Sequence, residues 1–419
     1  MPSGKNWLRL REAGIAVLGL LLGAFLAVSA EAQQAPDNPS PSQSAPATSA
    51  AMQENSQGNT EPQPATSLWQ YGAFADEGYL YDFNYPPNHI FRSRSTTFKV
   101  NELDLNMALA YVKKDAGEKS RWGAELTLQA GRDSEQFGFS PTAPNVPDAR
   151  WLRHFGPTDV SYLAPVGNGL TIQAGLFSSL LGYDSLYARD NFTYTRPWAG
   201  DYTPYLMFGV NASYPFSKKL TGVLYLINGY SHLAQVSHGP SVGGQVAYKF
   251  SDRLNFKETL FYGPQQRDAS LRDWRFLSDS IAEWKPGRAT VAFEYQVGTE
   301  GIATTGRPRS VWTLAQVPLH WAFNGHWSVT ERPEFFWDPQ GRLTGFEQLI
   351  ASNTESLEYR WSRRKWSAIA RLEHRFDNSQ GKGGGFFSDQ YTSPGVVALT
   401  PSQNLLILGV ILSYDSRPR

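Results

Sequence analysis

Arg371, Glu373, Arg375 and Asp377 occupy every second position of ARLEHRFD, residues 370–377. Glu358 and Arg360 alternate in the same way in LEYRW, and Arg332 and Glu334 do so in TERPEFF. Residues two apart share a face in an extended strand, not in a helix. Rows of mixed charge turned to one side can set up a field across an aqueous space, which sorts small polar solutes by charge and size. A plainer role is also open: the charges can pair across strands and stiffen the wall that carries them. The seven histidines, His89, His154, His232, His238, His320, His326 and His374, fall mostly in turns and loops and show no spacing such as H-E-x-x-H. Arg371 and Glu373 therefore read as lumen charges rather than as an acid and a base. No catalytic site, metal or cofactor is expected.

The other face of 370–377 carries Ala370, Leu372, His374 and Phe376. An ionic face opposite a mostly apolar one suits a strand with water on one side and lipid on the other. Similar segments recur from Leu68 onward, as in VNELDLNMALAY (100–111), RWGAELTLQAG (121–131), YLMFGVNASYPF (205–216) and RATVAFEYQVG (288–298). About sixteen of them begin near 70, 97, 121, 158, 169, 205, 219, 241, 254, 274, 288, 309, 326, 347, 365 and 403. Every second connection is short, such as SKK, SDR, PGR or NGH, and the intervening ones are mostly long. Short turns on one rim and long loops on the other describe a closed antiparallel transmembrane β-barrel, an all-β fold. An even strand number puts both termini on the short-turn rim. Glu331 departs from the pattern, because it would face outward.

The chain has 419 residues, is 41% apolar, has zero formal charge and contains no cysteine. This composition excludes disulfides, thiol catalysis and cysteine-ligated metals, and gives no electrostatic reason to expect nucleic acid as a partner. Lys5, Arg9 and Arg11 precede the apolar stretch 13–28 and the small residues SAEA, the order of a secretory signal peptide over 1–32. Cleavage could follow Ala30 or Ala32. Removing 1–32 takes three basic and two acidic groups and leaves a formal charge of −1. Residues 33–67, rich in Pro, Ser, Ala and Gln, offer little to bury and read as a disordered linker. The barrel is expected over 68–419.

The third long connection, SSLLGYDSLYARDNFTYTRPWAGDYTP (178–204), carries Asp184, Arg189, Asp190, Arg196 and Asp201 among four tyrosines. So many rings need somewhere to pack, which points to a loop folded inward to narrow the barrel; an external lid or a contact between subunits is the other reading. The pore-lining or constriction set is then these five residues with Arg332, Glu334, Glu358, Arg360, Arg371, Glu373 and Arg375.

Three stretches, LTIQAGLFSSLLGYDSLYARDNFTYTR, ERPEFFWDPQGRLTG (331–345) and ARLEHRFDNSQ (370–380), resemble the putative porin-2, OmpL-like β-barrel family. The likeness runs over about 72–415. It departs at Asp184, where the family usually has Glu, and at TRPWAGDY. The resemblance implies a porin of a Gram-negative outer membrane and names no solute. Expected partners are outer-membrane lipid and lipopolysaccharide, the barrel-assembly machinery, small polar solutes and, as one assembly the sequence permits, a homotrimer. A plugged structural or adhesive barrel is the alternative, and an outer-membrane barrel enzyme a more distant one.

Overall fold

The computed structural model describes residues 69–136, 153–230, 237–266, 269, 271–302 and 308–417. The signal peptide and the linker expected over 1–67 lie outside the described residues. The strands are β1 (Gln70–Asp82), β2 (Leu103–Lys114), β3 (Trp122–Ala130), β4 (Phe155–Ala164), β5 (Leu170–Ser178), β6 (Leu206–Pro215), β7 (Leu220–Ile227), β8 (Ser241–Lys249), β9 (Leu254–Pro264), β10 (Trp274–Trp284), β11 (Ala289–Glu300), β12 (Ser310–Gln316), β13 (Leu319–Ala322), β14 (Trp327–Asp338), β15 (Gln348–Arg363), β16 (Trp366–Gln380), β17 (Phe386–Ser393), β18 (Val396–Thr400) and β19 (Ser402–Asp415). Each main strand pairs antiparallel with the next in sequence, and β1 pairs with both β2 and β19, which closes the barrel.

β12 and β13 both lie between β11 and β14, so they are two halves of one stave and the barrel has sixteen staves. Pro318 lies at the break. It has no N–H to give the ladder, and its carbonyl accepts from Ala292 N. β17 and β18 form a separate hairpin within the last long connection, which the period-two reading passes over as loop. β2 begins at Leu103 rather than near 97. Thr97 and Asn101 adopt positive φ, 45° and 59°, which breaks an extended run.

The short turns close on side chains. Ser217 Oγ accepts from Lys219 N and Leu220 N; Ser251 Oγ accepts from Arg253 N and Leu254 N. Asn324 Oδ1 accepts from His326 N and Trp327 N. Local hydroxyl and amide acceptors of this kind reverse the chain within two or three residues. Leu224, Leu408 and Leu412 are among the exposed outward aliphatics. Aromatic pairs mark the two rims, Trp327–Tyr359 and Trp366–Tyr414 beside short turns and Tyr262–Trp274 beside a long loop.

Candidate functional site

Residues 179–205, between β5 and β6, fold into the barrel, and none of them is exposed. The ionic rows of β14, β15 and β16 explain how the loop is held. Arg371 donates from Nη1 to Ala188 O at 2.6 Å and Thr193 O at 3.0 Å, and from Nη2 to Asn191 O. Arg332 donates to the Thr193 hydroxyl and, at 2.9 Å, to Thr195 O. Arg375 donates to Arg196 O at 3.0 Å. Glu373 works in the opposite sense and accepts from Tyr194 N at 2.6 Å, Thr195 N at 3.1 Å and the Thr195 hydroxyl. Glu334 accepts from Trp198 N at 2.6 Å, and Asp377 accepts from the Trp198 indole N–H at 2.9 Å. A loop without a ladder leaves backbone donors and acceptors unpaired, and these must be satisfied when buried. Guanidinium groups supply the donors and carboxylates the acceptors.

Within the wall the same charges pair with one another. Arg371 Nη2 lies 2.7 Å from Glu358 Oε2, and Arg375 Nη2 lies 3.0 Å from Glu334 Oε1 and from Asp377 Oδ1. Arg332, Arg371, Glu373 and Arg375 are fully buried under the loop. Arg360, which bonds Glu358 Oε1 at 3.0 Å, keeps 31% of its side chain exposed. The charged face expected on the inner wall is therefore inward, but most of its polar surface is taken by the loop.

The five charged residues of the loop divide in the same way. Arg196 is fully buried and donates to Leu186 O and Tyr194 O. Asp201 pairs with Arg94 of the first long connection at 2.6 Å, and Ser95 and Thr96 also donate to it. Arg189 lies over the Phe74 ring and 3.5 Å from Asp415. Asp184, which accepts from Gln316 Nε2 at 2.7 Å, and Asp190 lie on a half-buried edge with Gly182, Ser185, Tyr187 and Phe192.

Two features escape charge-based reading. Gly78 and Gly409 are paired opposite each other on β1 and β19. A Cβ on either would collide with the Tyr194 ring. Glycine inside a strand is the sequence signal for such a close approach. The other feature is a lock from above. Residues 83–102 and the short helix α1 (Arg132–Gln136) cap the loop, with Arg94 donating to Arg196 O at 2.6 Å, Tyr202 to Ser93 O at 2.6 Å, and Thr97 N to Asp133 Oδ1 at 2.7 Å. Asp133 Oδ2 lies 3.1 Å from Arg196 Nη2, both side chains being fully buried.

Burial pushes the Asp133 carboxyl up to about 7, against the pull of Arg196. The folded form thus holds this proton more tightly than the unfolded chain. The stability it contributes is complete below the ordinary carboxylate value of 3.8 and is lost as pH rises through about 7. The capped loop should accordingly resist hydrogen exchange better at pH 5.5 than at pH 8, and Asp133→Asn should flatten that difference. Equal pH dependence in the variant would assign the effect to another group.

Among the described residues no group of His, Cys, Asp or Glu could hold a metal ion.

The opposite wall differs. Lys113, Glu125, Ser161, Thr171, Gln173, Asn255 and Lys257 point inward and are half-buried. Asn211 and Ser213, also inward, are buried. These residues lie toward the short-turn ends of β2–β9, as the partly open Arg360 does on β15; toward the long-loop ends of the same wall Tyr187 of the loop donates to Gln129, Gln245 and Thr259 donate to Leu180 O, and Phe261 is buried.

A family model described as putative beta-barrel porin-2, OmpL-like, matches residues 69–414. No curated relative matches the chain. Among solved structures, the outer-membrane-expressed OmpT of Vibrio cholerae is 9% identical, with a TM-score of 0.51, covering 84% of this chain and 99% of that one. The outer membrane channel DcaP of Acinetobacter baumannii is 9% identical, with a TM-score of 0.50, covering 83% and 96%. An anion-selective porin from Comamonas acidovorans is 12% identical, with a TM-score of 0.49, covering 83% and 99%. At these identities the likeness is one of fold.

Proposed function

This chain belongs to the putative beta-barrel porin-2, OmpL-like family, and from that premise we propose that it is a diffusion porin of a Gram-negative outer membrane. Small polar or charged solutes pass between the half-buried edge of the inward-folded loop and the polar wall of β2–β9. The observation that carries this reading is the asymmetry of the interior. Where the loop packs, it bonds the walls on both sides, while toward the short-turn rim β2, β3, β5 and β9 present Lys113, Glu125, Gln173 and Lys257 half-buried. A sixteen-stranded barrel is wide enough for an aqueous channel beside such a loop. In this reading the signal peptide over 1–32 is removed on export, both termini face the periplasm and the long loops face outward. Lipid, lipopolysaccharide and the barrel-assembly machinery are its other partners.

One observation favours the plugged barrel: every residue of 179–205 is at least half-buried, and Leu181, Leu186, Trp198, Phe261, Leu277 and Phe336 belong to one apolar cluster across the lumen. Conductance decides between the two. Purified protein in a planar bilayer should show discrete ohmic steps, and their absence would leave the plugged barrel. Arg360→Gln should shift the reversal potential toward cation preference under a low-salt gradient, since Arg360 keeps exposed surface among the arginines of that wall. The shift should shrink toward 1 M salt, where screening acts over about 3 Å.

A further inference from the structure

The short-turn rim is cationic. Seven turns close the strands there: DAGEKSR (115–121), PVGNG (165–169), FSKK (216–219), FSDR (250–253), KPGR (285–288), FNGH (323–326) and RK (364–365). They hold nine Lys or Arg against three Asp or Glu, and Lys114, Lys249 and Arg363 at the adjoining strand ends raise the basic side to twelve. Lys218, Lys219, Arg253, Arg288, Arg364 and Lys365 are exposed. Among the described residues of this rim, ion pairs hold Lys249, 2.9 Å from Asp252, and Lys285, 2.8 Å from Glu283, and the six exposed cations have none. The long connections use their cations differently. Arg92 donates to Gly385 O at 2.7 Å, Arg309 donates to Trp274 O at 2.6 Å, Arg94 pairs with Asp201 and Arg342 pairs with Glu300 at 2.6 Å.

Two observations bear on the depth and role of the short-turn charges. Aromatic pairs border the turns that carry them: Tyr214–Phe216, Tyr248–Phe250 and Trp366–Tyr414, with ring centroids 5.0, 4.7 and 5.1 Å apart. Such belts sit at the lipid–water interface. A turn of four residues extends about 7 Å beyond its strands at most, so its charges stay in the headgroup layer. The other observation is strain. Arg364 has φ 57° in a two-residue turn, where Gly or Asn sits more easily, and a cation fills the position instead.

We propose that this rim docks on the anionic phospholipids of the leaflet it faces, with phosphatidylglycerol or cardiolipin phosphates seated between neighbouring turns. The inference rests on the reading that the short turns face the periplasm. Charge selects the occupant, since cations without acidic partners meet phosphodiesters at the same depth. An acidic protein or a glycan strand needs cations that stand clear of the headgroups, and turns of two to four residues do not provide them. Cations occupy five of the seven turns, so the contact runs around the rim and is not one pocket. One cation beside an anionic lipid surface is worth about fivefold in partition.

The test uses the folded barrel in phosphatidylcholine vesicles, probed with spin-labelled phosphatidylglycerol and spin-labelled phosphatidylcholine. At low salt the native barrel should associate with the anionic label about fivefold more strongly. The preference should fall toward parity at 1 M salt, where screening acts over about 3 Å. Lys218→Gln/Lys219→Gln/Arg364→Asn/Lys365→Gly should lower it to about twofold. An Asn-Gly turn suits the φ at position 364, so this variant keeps its fold. Lys218→Arg/Lys219→Arg/Arg364→Lys/Lys365→Arg keeps the charge and should keep the preference. Equal association of the two labels with the native barrel, or a preference that neither salt nor the neutral variant lowers, overturns the inference. Conductance plays no part in the readout, so a plugged barrel leaves the result standing. Orientation is checked on its own. The chain lacks cysteine, and Lys219→Cys should react with an impermeant maleimide only after the outer membrane is opened. Labelling in intact cells overturns the orientation and with it the leaflet named here.

Discussion

Replacing Arg371 with methionine frees the inward loop. Trypsin cleaves after Arg189, and the single-channel conductance rises. In the native protein that site is buried, Arg189 being 7% exposed, and should resist the protease. Arg371 holds three loop carbonyls, those of Ala188, Asn191 and Thr193, and pairs with Glu358. Methionine keeps the unbranched apolar stem of the side chain and removes every donor. The carbonyls of Asn191 and Thr193 then lose this donor, Ala188 O keeps only Asn191 N, and Glu358 keeps only Arg360. Breaking a buried ion pair on one side costs about 3–5 kcal/mol, more than such a loop can spare without opening. Since the free section of a sixteen-stranded barrel is much wider than the passage beside the loop, conductance should rise about two- to fivefold. If the loop stays resistant and the conductance stays the same, Arg371 is no clamp and the loop is held by its apolar contacts alone.

Trp198→Ala should cost about 3–5 kcal/mol in the thermal or denaturant unfolding of the loop region. Trp198 is 1% exposed. Its ring meets Phe91 of the first long connection edge-on at 5.9 Å, and Phe336 of β14 and Phe386 of β17 each at 6.2 Å. Arg94 lies over it at 4.9 Å. One side chain thus ties the first, third and last long connections to the wall, and its loss also strips a donor from Asp377. Amide exchange should accelerate in residues 83–102 and 179–205 while the ladders of β1, β16 and β19 keep their protection. Uniform acceleration across those strands would show instead that Trp198 supports the barrel itself.

The architecture was legible in the sequence because lipid and barrel closure leave a chain few choices. Backbone groups facing hydrocarbon must be paired within the sheet, so each strand shows an alternating pattern that one sequence line displays. The seven charged residues from Arg332 to Arg375 turn inward where that alternation puts them. Glu331 and His374 departed from it, and both proved to face outward in one patch. Strand ends were read to within a few residues, except where local backbone overruled the pattern. Positive φ at Thr97 and Asn101 delayed β2, and Pro318 split a stave.

What the charges touch was decided by the tertiary structure. Spacing assigns Arg371 to the lumen side, yet it cannot tell water from a loop that returns from nearly two hundred residues earlier. Whether Arg332, Arg371 and Arg375 meet solute or backbone carbonyls depends on where 179–205 settles. That in turn depends on Tyr194 finding Gly78 and Gly409 together, and on Arg94 of another loop reaching Asp201. Periodicity is a property of one strand and its two surroundings, so a sequence can state it. Occupancy of the lumen arises from contacts between distant segments, each with the burial and hydrogen bonding it must satisfy, and it exists only once the barrel has closed around them.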